Sequence, residues 1–170
     1  RAPVVVAGTV KTHVDLDVNA PVSTFVKDPE GDRTFFTLLG STHGTAHLSG
    51  DGQSVVFTPE AGYIGTADFT IRADDGFGQT IQTIAVTISN AALTRLDFVD
   101  RNLRLAVGEG RQISLIGDFE DQANVELPAS YVTLMSTDGA IGSLVADGRI
   151  NAVGKGSGVL IAERAGLRAA

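Results

Sequence analysis

Short alternations of apolar and polar residues run through this chain, broken by Gly, Pro, Asn and Asp. Ala67, Phe69, Ile71 and Ala73 alternate with Asp68, Thr70 and Arg72, the period-two signature of a strand with one buried face. Over residues 79–89, Ile84, Val86 and Ile88 share a face, and Ile81 is out of phase, which predicts a bulge near Gln82-Thr83. Val14, Leu16 and Val18 alternate with His13, Asp15 and Asp17, predicting one strand over residues 13–18 with His13 on its solvent side. Further strands are predicted at 4–6, 34–39, 45–48 and 54–58, the last two joined by the hairpin turn Ser49-Gly50-Asp51-Gly52. That makes about seven short strands in the first 89 residues, the count of an immunoglobulin-like sandwich.

Asn90-Ala91-Ala92 reads as a linker, after which the pattern restarts. Strands are predicted at 93–98, at 103–107 where Leu103, Leu105 and Val107 alternate, and around Ile113 and Leu115. A polar loop with four acids is predicted over 118–128, followed by strands around Val132 and Leu134, Leu144 and Val145, 150–153 and 159–162. Asp138-Gly139, Asp147-Gly148 and Gly154-Lys155-Gly156-Ser157-Gly158 supply the turns. No stretch has helical spacing. The fold class is therefore all-β: two tandem immunoglobulin-like β-sandwiches, residues 1–90 and 91–170.

Composition agrees with many turns and little helix, with 20 Gly, one Met and 43% hydrophobic residues. The net charge of −7 and pI near 4.8 argue against nucleic acid and anionic membranes as partners. No apolar run reaches the roughly 18 residues of a membrane span, so no membrane insertion is expected. With no Cys, disulfides, thiolate zinc sites and a Cys nucleophile are excluded. The opening Arg1-Ala2-Pro3 reads as the start of an excised fragment or mature product, and residues 164–170 as a lead into another module.

The chemistry concentrates in two acidic turns. Asp28-Pro29-Glu30-Gly31-Asp32 packs three carboxylates around a Pro and a Gly, a composition that resists burial and regular structure, and whose repulsion a cation would relieve. Ala73-Asp74-Asp75-Gly76-Phe77-Gly78 is the second. Calcium takes six to eight oxygen ligands, largely carboxylate and carbonyl, and these acids could supply several of them. An EF-hand is excluded, since Gly31 falls too early and the twelfth position is Leu39. Solvated turns are the plain alternative. His43 and His47 flank a turn and a strand, not a helix, so they do not form a metal pair. Ser41 and His43 lack a nucleophile-elbow context. The run 154–158 lacks phosphate-loop spacing and a following helix. Tyr63, Phe77 and Tyr131 are the candidate exposed aromatics, too scattered for a sugar platform, with Tyr63 expected in a corner of the sandwich. No catalytic residue is predicted, and the chain is not expected to be an enzyme.

Four motifs in order, Asp28-Pro29-Glu30-Gly31-Asp32, Thr42-His43-Gly44-Thr45-Ala46, Phe57-Thr58-Pro59 with residues 62–69, and residues 73–78, resemble the bacterial cadherin-like tandem repeat over residues 2–90. The resemblance implies an extracellular sandwich with frequent calcium binding, its ligands Asp28, Glu30, Asp32 and one or both of Asp74 and Asp75. Leu105-Ala106-Val107-Gly108-Glu109, Ser136-Thr137-Asp138-Gly139 and residues 147–156 resemble the bacterial immunoglobulin-like domain type 2 over residues 93–166. That family is mostly structural and implies no catalytic residues. Together they imply a non-catalytic, calcium-stiffened spacer or adhesion module of a large bacterial surface or secreted protein. It would be monomeric and contact neighbouring modules of the same polypeptide and a cell-surface protein or glycan. The alternative is an accessory, glycan-binding module of a secreted carbohydrate-active enzyme.

Overall fold

The computed structural model describes residues 2–6, 8–31 and 33–170, which divide into two compact units, Arg1–Asn90 and Ala91–Ala170. The first unit holds β1 (Val4–Val5), β2 (Thr9–His13), β3 (Val18–Pro21), β4 (Val26–Lys27), β5 (Phe35–Thr42), β6 (Gly44–Leu48), β7 (Ser54–Pro59), β8 (Gly65–Asp74) and β9 (Gln79–Ser89). One sheet has the order β2-β9-β8-β5 and a second β3-β7-β6, with β1 and β4 as a short ribbon. The alternation in β8 is realised: Ala67, Phe69, Ile71 and Ala73 are all buried, facing Val55 and Phe57 of β7 in one core. Phe69 stands edge-on to Phe25 at 6.1 Å and tilted against Phe57 at 6.3 Å.

β1 and β2 belong to different pairings. β1 runs antiparallel to β4, whereas β2 runs parallel to β9, from Thr9 opposite Ala85 to His13 opposite Ser89. The crossing needs Gly8, because a Cβ there would lie 2.8 Å from the Phe25 ring.

The strand predicted over residues 13–18 is two pieces, and His13 is buried at 1% exposure. Asp15 takes a positive φ of 60° and the Leu16 amide donates to the His13 carbonyl, so the chain turns where a strand is predicted. The Thr12 hydroxyl donates to the Leu16 carbonyl at 2.7 Å, and the Asp15 carboxylate accepts the Gly62 amide at 2.8 Å. The period-two pattern there is a coincidence of turn and strand residues. No bulge interrupts β9 near Gln82-Thr83: β8 and β9 pair in unbroken register from Gly65 opposite Ile88 to Asp74 opposite Gln79. Ile81 is an outward-facing residue, 58% exposed. The register shift falls in β5, between Leu38 and Gly40.

The second unit holds β10 (Leu93–Phe98), β11 (Gly110–Gln112), β12 (Leu115–Phe119), β13 (Gln122–Leu127), β14 (Thr133–Ser136), β15 (Gly142–Leu144), β16 (Arg149–Ala152), β17 (Leu160–Arg164) and β18 (Leu167–Ala169). They form three-stranded sheets β10-β12-β13, β11-β16-β15 and β14-β17-β18. The predicted acidic loop over 118–128 is largely a hairpin: β12 and β13 pair antiparallel, turning at Glu120-Asp121. Asp118 and Glu126 sit on half-exposed and exposed positions of the strand pair and Glu120-Asp121 form its turn, so most of the polarity there marks a solvated hairpin. Residues 103–106 form no strand despite their alternation. Tyr131, expected to be exposed, is buried against Phe119, ring centres 6.4 Å apart, with the Arg164 guanidinium 4.0 Å from its ring centre. Both units are all-β, as the alternation requires.

Candidate functional site: an acidic end of the first unit

The strand registers bring the two acidic turns to one end of the first sandwich. β5 begins at Phe35, directly opposite Asp74, and β8 turns into β9 just beyond it. The loop 28–34 enters β5 from β4, whose Lys27 pairs with Val4, and the adjoining Pro3 carbonyl accepts the Thr80 hydroxyl at 2.7 Å. The chain at Ala2 also passes against the turn, since a Cβ on Gly78 would lie 2.8 Å from that of Ala2.

Each acid has a distinct local task. Asp75 continues the buried phase of β8 and is only 7% exposed. Its Oδ1 accepts the amides of Phe77 at 2.8 Å and Gly78 at 2.7 Å, while its own amide donates to the Gly78 carbonyl at 3.2 Å. Its Oδ2 is buried and has no hydrogen-bond partner among the described residues. Asp74 Oδ1 accepts the Gly76 amide at 2.8 Å, and Gly76 takes the positive φ (86°) that glycine tolerates. Asp28 Oδ1 accepts the Glu30 amide at 2.8 Å, an Asx turn across Pro29. Glu30 is exposed, and Asp32 lies outside the described residues. Among the described residues no three or more His, Asp or Glu side chains are grouped to hold a metal ion. The structure thus brings the two turns to one end, but does not gather their carboxylates into a finished cluster.

Hydrogen bonds from the amides of Gly78 and Phe77 hold the Asp75 carboxyl below the usual carboxylate range, against the opposing effect of burial. A carboxylate kept ionised with one buried oxygen unpaired fits a hard cation. The same shift makes Asp75 acid-sensitive. A lowered folded pKa gives stability that is complete above the unfolded value of about 3.9 and is lost as pH falls through the folded value. Asp75→Asn keeps an acceptor for both amides but removes the charge. Its urea midpoint at pH 7 is expected below the parent's, with a smaller further loss between about pH 5 and pH 2.5. An unchanged acid loss in the variant would show that Asp75 does not carry it.

Some polar contacts have no counterpart among the sequence expectations. His43, with φ of 49°, stacks on Tyr63 at 4.1 Å and 7° between planes, and its Nδ1 lies 3.7 Å from Glu60 Oε2. Tyr63 donates its hydroxyl to the Thr66 carbonyl at 3.1 Å, the corner role expected of it. In the second unit Arg95 clasps Asp118 through Nε at 2.6 Å and Nη2 at 3.3 Å, and Arg101 pairs with Asp97. The Arg101 hydrogen bond depresses the Asp97 pKa, and the Arg95 hydrogen bond, then the Asn124 amide, depresses that of Asp118. Only the four-residue spacing of Asp97 and Arg101 hints at these pairs in the sequence. Phe77, at the acidic tip, is 86% exposed, as expected of it.

Fold and site define an immunoglobulin-like β-sandwich module with an acidic end. Residues 1–89 match the family model described as the bacterial Ig domain, and the chain belongs to that family. No curated protein sequence matches it. Among solved structures, human protocadherin-24 EC1-2 is similar at 16% identity and a TM-score of 0.40, over 89% of this chain and 77% of that one. An endo-fucoidan hydrolase of glycoside hydrolase family 107 is similar at 16% identity and 0.41, over 89% of this chain and 24% of its own length. Domains 1–6 of the surface layer protein SbsC follow at 13% identity and 0.32, over 99% and 26%. Among the described residues no helix is long and apolar enough to cross a membrane.

Proposed function

We propose that the chain is a non-catalytic spacer or adhesion segment of a bacterial surface or secreted protein, stiffened by calcium at the acidic end of its first unit. The observation that carries this reading is the buried, unpartnered Oδ2 of Asp75 at the end of the sandwich that the 28–32 loop shares. Asp75 would be the fixed ligand, with Asp74 beside it and Asp28, Glu30 and Asp32 contributed by the facing loop. Calcium would supply charge neutralisation at that end; the chain's own residues hold the turn. Asp75 clamps residues 75–78, and Asp28 sets the turn across Pro29. The second unit would be a type 2 immunoglobulin-like domain adding length without chemistry, and the partners would be neighbouring modules of the same polypeptide.

A ligand that binds only the native state stabilises by RT ln(1 + [L]/Kd), about 2.7 kcal/mol at a hundredfold excess over Kd. Melts in low salt with millimolar calcium and with chelator should therefore give a higher midpoint for the first unit with calcium, and Asp75→Asn should lose most of the rise. Equal midpoints in the parent protein would sink the calcium reading.

A further inference from the structure

The two larger sheets of the first unit, β2-β9-β8-β5 and β3-β7-β6, leave four edge strands. An edge strand offers unpaired N–H and C=O groups to other strands, and proteins guard it by shortness, Lys, Pro or a bulge. β2 has five residues with Lys11 in the middle, β3 has four and ends at Pro21, and β6 has five. β5 is different: it runs for eight residues, Phe35–Thr42, with neither a charge nor a proline. Its ladder is to β8, and among the described residues no backbone group of 35–42 joins any other backbone–backbone hydrogen bond. Phe35 and Leu39 are 59% and 49% exposed along it.

The bulge between Leu38 and Gly40 does not guard this edge. Its extra residue is Leu39, an exposed apolar side chain where a guard would carry a charge. The bulge does fix a register. Phe35, Thr37, Gly40 and Thr42 lie opposite Asp74, Arg72, Thr70 and Asp68, the residues of β8 that alternate with its buried row. Those four positions are symmetric about the point between Leu38 and Leu39. An antiparallel copy of β5, with Phe35 facing Thr42 and Thr37 facing Gly40, keeps all four on one face of the sheet. A slip of one residue would set outward positions against inward ones. The ends match in charge as well. Arg33 stands just before β5, its guanidinium 5.1 Å from the centre of the Phe35 ring. In that register it falls opposite Gly44 of the copy. Glu60 flanks that end, its side chain exposed and its amide donating to the His43 carbonyl at 3.0 Å.

We propose that β5 is a homophilic contact strand. A second copy of this chain adds its own β5 antiparallel, about a two-fold axis between Leu38 and Leu39, and the two sheets become one. This goes beyond the spacer reading and departs from the monomer that the family resemblances imply. The contact is isologous, so it closes at two chains and does not propagate. Main-chain bonds across the axis supply affinity. Leu39 of each copy is covered by Leu38 and Leu39 of the other, and two Arg33–Glu60 pairs fix the register. Eight strand residues a side fall short of the roughly 20–30 residues a side of a stable interface. The dimer is therefore weak, with a Kd on the order of 100 μM.

Sedimentation of the full chain from about 10 μM to about 1 mM brackets that Kd, and chelator keeps calcium bridging from imitating the contact. The mass is expected to rise from 17.6 kDa toward twice that value, with concentration-dependent amide shifts confined to residues 33–44 and Glu60. Leu39→Lys brings like charges together at the axis and should raise Kd at least about tenfold. Arg33→Glu and Glu60→Arg, both on exposed side chains, should each weaken the dimer about threefold. The double reversal should restore it. The proposal is overturned if the chain stays a monomer at about 1 mM, if assemblies larger than a dimer form, or if Leu39→Lys leaves the dimer intact. A monomer whose β5 amides shift only with an added foreign Thr/Val peptide would also overturn it, by giving the edge to another occupant. Should Leu39→Lys fail to fold, the charge reversals still decide, since a double variant without rescue removes the proposed register.

Discussion

Phe69→Ala is expected to be the most damaging single truncation in the first unit, costing about 3–5 kcal/mol. Phe69 is fully buried at the centre of β8, and its ring touches Phe25 from the β3–β4 connection and Phe57 from the opposite sheet. Removing it takes away the transfer free energy of the ring and leaves a cavity between two sheets whose backbones are pinned by ladders on both sides, so collapse is limited. The loss also removes two aromatic contacts worth about 0.5–1.5 kcal/mol each beyond burial. Urea unfolding followed by methyl NMR signals of Val55, Ile71 and Ile84 would report the first unit separately from the second. A loss under about 1.5 kcal/mol would mean that the site repacks and that the ring is not central. Phe69→Leu, which keeps much of the volume, should recover a large part of the difference.

The same strand shows why so much of the fold is legible in the sequence. β8 is long, half-buried and antiparallel to β9, so from Ala67 to Ala73 each inward residue reads as apolar and each outward one as Asp, Thr or Arg, and Ile84, Val86 and Ile88 continue the inward face in β9. The two-unit organisation follows from the pattern closing after Ser89 and restarting at Leu93 across Asn90-Ala91-Ala92. What fails does so where a different force sets the pattern. Residues 13–18 alternate by chance across a turn fixed by the left-handed Asp15 and its long-range bond to Gly62, a contact 47 positions away in the chain. Residues 103–107 alternate as a strand does but pair with no strand among the described residues, and a ladder needs both. Tyr131 carries a polar atom on an apolar body; its burial depends on Phe119 and on the Arg164 side chain over its ring, neither of which local sequence announces. The acidic end is half legible. Composition picks out both turns, and the β5–β8 register puts them at one end. Only the folded chain reveals that Asp75 keeps one oxygen for its turn and leaves the other buried without a partner among the described residues.

Gly44→Ala should be the most costly addition of a single methyl group in the first unit. The chain leaves β5 in one sheet and enters β6 in the other at His43, whose φ of 49° is unusual for a residue with a side chain. The switch is held by the Ser41 hydroxyl donating to the Gly44 carbonyl at 2.9 Å and by the Glu60 amide donating to the His43 carbonyl at 3.0 Å. It also brings β6 flat against the Phe57 ring. A Cβ on Gly44 would lie 2.5 Å from Phe57 Cζ and 2.6 Å from the Thr58 carbonyl oxygen. The first clash could be eased only by moving a fully buried ring, and the second only by moving ladder backbone. Overpacking of this kind costs about 1–3 kcal/mol, and here two rigid neighbours must yield at once, which puts the expectation at the upper end. Against it stands the entropic gain of replacing a glycine, about 0.4–1 kcal/mol, so the net loss should still exceed about 1.5 kcal/mol. The double variant Gly44→Ala with Phe57→Leu separates the two clashes. If the ring is the main obstacle, the pair should be less destabilised than the sum of its members, whereas additivity would place the strain in the Thr58 backbone.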